Sequence, residues 1–362
     1  MPAYNHQHRL PLLCLLLAST SIHSNAQLFK IVLWGDLPYR GTRDDVFDPT
    51  DEEQINGVSV GVLYAELRDS INDSNAPFAF HAGDVKSGRQ PCYTSKYFDR
   101  FEQLANSLDM PVVFTPGDND WTDCHNDIES FRWTTQKHAL ENVRDRFYSN
   151  RDDAGPILGS NTDAWSIQVT TEENANYPEL QRFMYNEIMF VVVHVVGGNN
   201  NRQTTCFNWF DTSFSCPFSL FLTDLCCFGA RWEYNARNSK VNEFLQQSFG
   251  VAAGAGAKGV VVLAQAAIFN LDDEPFERFT DGFFDFWHTL RTETLSFGKP
   301  VVYVHGDAHR FKDYIPDIDG VPSNLQALMV PGADEVGWVE ATINPDASPV
   351  FSFELIDIAN AP

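Results

Sequence analysis

The sequence predicts an α/β fold, mixed β-sheets stacked face to face and flanked by helices, on three observations. Short apolar runs end in acidic loops: Ile31 to Asp36 (IVLWGD), Phe78 to Asp84 (FAFHAGD), Val112 to Asp120 (VVFTPGDND) and Val301 to His309 (VVYVHGDAH). Helical patterns with one apolar face separate these runs, the alternation expected of strand–helix–strand units. Later segments read as hairpins, which adds antiparallel strands to the same architecture. Buried strands carrying acids at their C-terminal ends assemble a site outside the edge of an open sheet.

Phe29 to Trp34 is the first strand, and Gly57 to Ile71 follows as a helix because Val58, Val62, Leu63, Ala65 and Leu67 give it an apolar face. Strand Phe78 to His81 precedes a helix around Tyr97 to Leu108, where Phe98, Phe101, Leu104 and Ala105 recur at helical spacing. Pro111 to Thr115 is the third strand. The less regular stretch from Asp120 to Tyr177 holds one helix near Thr134 to Phe147. Gln181 to Tyr185 and Ile188 to Val196, separated by Asn186-Glu187, read as a hairpin. A helix from Glu233 to Phe249 leads to strands Gly259 to Ala264 and Pro300 to His305, with a helix between them. The C-terminal part, with β segments at Ala341 to Ile343 and Pro349 to Leu355, is predicted to be antiparallel.

The first 26 residues read as a secretory signal: a weakly basic start (His6, His8, Arg9), an apolar run from Leu10 to Ala18, and Ser24-Asn25-Ala26 as a small-residue cleavage site. Residues 27–362 are read as one domain with a Cys-rich insertion near 202–232, and the product is expected to be exported, monomeric and not membrane-bound. Without Arg9 the chain carries 49 acidic against 24 basic residues, a formal charge near −25. Such a surface repels nucleic-acid phosphates and anionic membranes, which argues against a polynucleotide partner. A negatively charged substrate would need local positive charge, most simply bound metal. Six cysteines remain after Cys14 leaves with the signal, an even number that suits disulfides in an oxidising compartment. Cys92 and Cys124 each lie shortly after an acidic loop, so a bridge between them would tie together two walls of the site. Cys206, Cys216, Cys226 and Cys227 sit in an irregular aromatic segment and are disulfide candidates; they lack the paired CxxC spacing of a zinc site. Asn72-Asp73-Ser74 is a usable glycosylation sequon.

Asp36 after its strand, the Gly83-Asp84-Val85-Lys86-Ser87-Gly88 loop, Gly117-Asp118-Asn119-Asp120, Val262-Leu263-Ala264-Gln265 and Gly306-Asp307-Ala308-His309 resemble, in order, the five motifs of the calcineurin-like metallophosphoesterase superfamily. The resemblance covers roughly Phe29 to Tyr314. It implies a four-layer αββα sandwich with two metal ions at the strand ends, sharing a bridging carboxylate and activating a water for in-line attack on phosphorus. Carried over by motif, Asp84 is the bridge, Asp36 and His309 hold the first metal, and Asp118, Gln265 and Asp307 surround the second.

The departures from the family's pattern are as specific as the matches. Pro38 stands where the first motif has a ligating histidine, and Gln265 and Asp307 replace histidines of the fourth and fifth. Asp118 and Asn119 replace the Asn-His pair of the third; an amide donates a hydrogen bond but supplies no proton at neutral pH. An oxygen-rich set favours Mg²⁺, Mn²⁺ or Ca²⁺ over Zn²⁺, with one or two ions bound. Asn119, Asp120 and His305 are the catalytic candidates; Lys86, Arg89 and Asn200 are candidates for contacting substrate oxygens. Against these stand structural readings: His305 as a hydrogen-bonded strand-end residue, Lys86 and Arg89 as solvated loop charges, Asn199-Asn200 as a turn cap. His81 is expected in the core, and His125 is a substitute proton donor if Cys124 is anchored. The expected function is a metal-dependent phosphoesterase acting on a small phosphorylated substrate; the alternative is a catalytically weak or inactive relative that binds metal or ligand.

Overall fold

The computed structural model describes residues 27–92, 94–125, 136–148, 158–160, 170–171, 176–202, 223–269 and 281–360. Its first sheet contains, in spatial order, β15 (Phe351–Asp357), β14 (Gly337–Ile343), β1 (Phe29–Trp34), β4 (Ala79–His81), β5 (Pro111–Phe114) and β6 (Leu158–Gly159). The second contains β12 (Lys312–Tyr314), β13 (Leu325–Met329), β11 (Val301–His305), β10 (Gly259–Leu263), β9 (Ile188–Val192), β8 (Gln181–Tyr185) and β7 (Thr170–Thr171). A small hairpin of β2 (Gln54–Ile55) and β3 (Val58–Ser59) stands apart from both. Both sheets are mixed. Strands β1, β4 and β5 run parallel, as do β9, β10, β11 and β13, while β14, β15, β8 and β12 pair antiparallel.

Alternation along each strand sorts its side chains into two apolar layers. Ile31 and Leu33 of β1 meet Val261, Leu263, Val302 and Val304 of the second sheet in the central layer. Val32 and Trp34 face the other way, onto helices α1 (Val60–Asp73) and α2 (Lys96–Asn106), through Leu63, Leu67, Phe101 and Leu104. Val260, Val262, Val301 and Tyr303 of the second sheet turn outward to α5 (Thr223–Gly254) and α6 (Asp281–Phe297), meeting Val241, Phe244, Leu245, Phe286 and Leu290. The result is the expected helix–sheet–sheet–helix sandwich. Burial on both faces explains why β1, β10 and β11 read as continuous apolar runs, each full burial contributing about 1.5–3 kcal/mol. The described residues also include the one-turn helix α3 (Asp118–Trp121) and the longer α4 (Gln136–Phe147). No helix among the described residues is long and apolar enough to cross a membrane.

Three expectations need correction. The strand predicted to reach Val196 ends at Val192, because the Val193 and Val195 carbonyls are taken by the Thr115 hydroxyl and by the backbone N–H groups of Gln265 and Ala266. The C-terminal part is not wholly antiparallel, since β13 lies parallel to β11. Helix α5 begins ten residues before Glu233, so the predicted irregular segment runs into it. Cys206 and Cys216, and the side chains of Cys226 and Cys227, lie outside the described residues.

Candidate metal centre

The parallel strands of both sheets deliver their C-terminal ends to one rim, and the acidic loops meet there. Asp36 follows β1, Asp84 follows β4, Asp118 opens α3 after β5, Gln265 follows β10, and Asp307 and His309 follow β11. Two trios result, Asp36–Asp84–His309 and Asp84–Asp118–Asp307, and within each the candidate ligand atoms lie within 4.8 Å of one another. Asp84 belongs to both. Asp36, Asp84, Asp307 and His309 all have left-handed backbone conformations, with φ of 52°, 58°, 74° and 58°. Non-glycine residues seldom adopt that region, and its recurrence at the candidate ligands marks strain held in place by surrounding structure. Gly117 is required on steric grounds, since a Cβ there would fall 1.9 Å from Asp84 Oδ1.

Backbone and side-chain donors hold the acids in register. The Asp307 N–H donates to both Asp36 oxygens at 3.2 Å, joining the two sheets across the rim. Asp120 accepts the N–H groups of Asp84, Val85 and Gly117 at 3.1, 2.9 and 2.8 Å. It therefore brackets the second and third loops through their backbone. The Asn119 amide donates to Asp84 Oδ2 at 3.0 Å and to the Tyr39 hydroxyl at 2.8 Å. Gln265 donates from Nε2 to Asp84, Asp118 and Asp307, while its Oε1 accepts the Gly197 N–H at 2.6 Å.

The electrostatics show what this packing costs. Burial pushes the Asp36 and Asp84 carboxyls well up, and the neighbouring acids, Asp307 for the first and Asp118 for the second, push them further. Burial likewise raises Asp120 and Asp307 to about 6. Burial lowers His309, whose side chain keeps 39% exposure at the mouth. A cluster of carboxylates that resists ionisation in isolation is one that a cation would stabilise, and oxygen donors with one imidazole match a hard divalent ion. The residues present thus fit a metal, most completely in the first trio.

Tyr39 was not among the residues expected here. Its hydroxyl lies 3.1 Å from Asp84 Oδ2, 3.3 Å from Asp36 Oδ1 and 3.2 Å from His309 Nε2, in the midst of the first trio. The signal available in the sequence was an aromatic hydroxyl three residues after Asp36, in the same loop.

Other candidates fall elsewhere. His305 bonds the Gly306 carbonyl and the Tyr314 hydroxyl, and burial lowers it to about 4, so it is a neutral structural group. Lys86 is buried, its ammonium donating to the Ser87 and Gln90 carbonyls. Arg89 is exposed on the same loop. Asn200 is buried and holds the turn Gly197–Asn200, donating to the Gly282 carbonyl while its own oxygen accepts from Arg237 at 2.6 Å. His81 is a core residue, bonded to the Leu37 carbonyl and lowered by burial to about 3. The His125 side chain lies outside the described residues. Cys92 and Cys124 form a disulfide, which anchors the turn after α3 to the second loop. Asn72 of the sequon is engaged, donating to the Ser107 carbonyl and accepting the Asp109 N–H.

The fold and rim define an αββα sandwich with an acid-rich candidate metal centre. No family model matches the chain, and no curated protein matches it. Among solved structures, that of a candidate 5'-nucleotidase from Staphylococcus aureus, in complex with alpha-ketoglutarate, matches over 93% of this chain at 13% identity and a TM-score of 0.44. This chain spans 55% of that one, and a likeness of that depth carries no argument about activity.

Proposed function

We propose that the protein is a metal-dependent phosphoesterase that hydrolyses a small phosphorylated substrate. One observation carries this reading: five strand-end residues, four carboxylates and one imidazole, are gathered from two sheets into adjoining trios sharing Asp84. Asp36, Asp84 and His309 would hold an ion, with Asp118 and Asp307 beside it. A bound divalent cation supplies Lewis acidity and lowers the pKa of water. The chain's own groups do the rest. Asn119, beside Asp84, would orient a substrate oxygen, the partly exposed His309 would border the path by which a leaving group departs, and Asp120 fixes the backbone on which Asp84 and Asp118 depend. The net negative charge makes the ion the main source of attraction for a phosphate.

The second reading, a metal-binding relative with little or no turnover, is favoured by two observations: the Asn119 amide supplies no proton at neutral pH, and His305 is engaged by the Gly306 carbonyl and the Tyr314 hydroxyl away from the two trios. Export is part of the proposal; the apolar run from Leu10 to Ala18 ahead of Ser24-Asn25-Ala26 and the Cys92–Cys124 disulfide both support it.

The test is turnover of phosphomonoester and phosphodiester substrates by chelated protein resupplied with Mg²⁺, Mn²⁺, Ca²⁺ or Zn²⁺, beside Asp84→Asn. Metal-dependent turnover lost in the variant is expected. Metal binding with no turnover on any substrate would establish the second reading instead.

A further inference from the structure

Gln265 bears on how many ions the centre takes, an inference that rests on the metal-centre reading above. Its stem is confined: the side chain is fully buried, and a Cβ on Gly83 would lie 3.0 Å from its Cβ and Cγ. Oε1 accepts the Gly197 N–H at 2.6 Å, and this fixes which way the amide faces, because the reverse orientation would set an NH₂ group against an N–H. Nε2 therefore points into the second trio, 3.0 Å from Asp84 Oδ2, 3.1 Å from Asp118 Oδ1 and 3.1 Å from Asp307 Oδ1. Those are the three carboxylates a second ion would need. We propose that the Gln265 amide fills the second metal position as a hydrogen-bond donor, so that the protein binds one divalent ion, at Asp36, Asp84 and His309.

Both trios accept hydrogen bonds from surrounding groups, the Asp307 N–H reaching both Asp36 oxygens and the Asn119 amide reaching Asp84 Oδ2 in the first, and they differ in the group at their centre. Around the second, Asn119 N donates to Asp84 Oδ1 at 3.0 Å and Asp118 Oδ1 at 2.9 Å, and Ala267 N donates to Asp307 Oδ2 at 3.2 Å, so its oxygens are met from several sides. The first trio is reached from solvent past His309, and the group at its centre is the Tyr39 hydroxyl, whose oxygen can itself face a cation. Admitting a second ion requires the Gln265 amide to turn over. That breaks the bonds to three carboxylates and to Gly197, and leaves the Gly197 N–H facing another donor in a buried site. Losses of that kind weaken binding by roughly a hundredfold or more.

Mn²⁺ titrated into chelated protein, followed by calorimetry and by electron paramagnetic resonance, tests the proposal without recourse to activity. Expected is one Mn²⁺ per chain with the spectrum of an isolated ion, lost in Asp36→Asn and retained in Asp307→Asn. Gln265→Glu, which presents oxygen on both sides, should take up two ions with a spin-coupled spectrum; Gln265→His is the second variant should that one fail to fold. Two coupled ions in the unaltered protein at micromolar Mn²⁺ would overturn the proposal. So would a single ion that survives Asp36→Asn and is lost in Asp307→Asn. No binding at all would remove the metal-centre reading itself, a different failure.

Discussion

At the scale of single residues the centre is a set of groups held against their own preferences. Asp84 is the extreme case, buried, left-handed in its backbone, and common to both trios. Asp84→Asn should weaken divalent-ion binding by about a hundredfold or more, since it removes the ligand on which both trios converge. In chelator the same variant should melt at a higher temperature than the unaltered protein, because it relieves repulsion among buried acids. Calorimetry and thermal melts check both; a variant that binds metal normally would sink the assignment. Tyr39→Phe tests the residue that motif reasoning overlooked. It should lower metal affinity by roughly 10- to 100-fold while leaving the melting temperature in chelator nearly unchanged, the outcome of losing a contact around the ion and not a packing group. The loops carrying Asp36, Asp84, Asp118 and Asp307 were legible in the sequence because each follows a short apolar strand. For Lys86 and Asn200 the sequence left a substrate contact and a structural role both open, because a charge or amide in a loop looks exposed until tertiary packing buries it, as it buries both of these.

The elements that hold these residues were legible wherever one period dominated. Strands β1, β10 and β11 announce themselves as runs of Val, Ile and Leu, and α2 as Phe98, Phe101, Leu104 and Ala105 on one side. Strand β13, Leu325–Met329, gave no such signal: LQALM suits a helix as well as a strand, and only pairing beside β11 decides it. The early end of β9 was equally hidden, since it depends on Thr115 and Gln265, residues distant in sequence, capturing its carbonyls. At this scale the Cys92–Cys124 bridge is the feature to perturb. It closes a loop of sequence separation 32 that contains Asp118, Asn119 and Asp120. Loop-closure entropy puts its contribution at about 4 kcal/mol. Replacing both cysteines with alanine should lower denaturant stability by about that amount and also weaken metal binding, because α3 loses its anchor. Metal affinity equal to that of the oxidised protein would mean that Asp120's three backbone bonds suffice to hold the loop.

Taken whole, the molecule concentrates acid at the rim of a sandwich whose surface is itself strongly acidic, and pH therefore couples folding to metal. Asp36, Asp84, Asp120 and Asp307 titrate above the ordinary aspartate range when folded, the last two near 6. An acid raised in this way binds more protons folded than unfolded. Its stabilising contribution is thus present below about pH 4 and is lost as pH rises through the folded value. His81, His194 and His305 are lowered by burial and act in the opposite direction, gaining stability as pH rises through the ordinary histidine range. The two effects overlap between pH 5 and 7, so the melting curve of one protein cannot separate them. A difference can, because the histidines are common to the unaltered protein and to Asp84→Asn. In chelator, the melting-temperature advantage of Asp84→Asn should widen as pH rises from 5 to 7. Addition of Mg²⁺ or Mn²⁺ should reverse that advantage at pH 7 and have little effect at pH 5, where protons compete for the same oxygens. An advantage that stays constant across the range would show that the rim acids ionise in the folded protein as freely as in the unfolded chain, and that the cluster needs no cation to hold its charge.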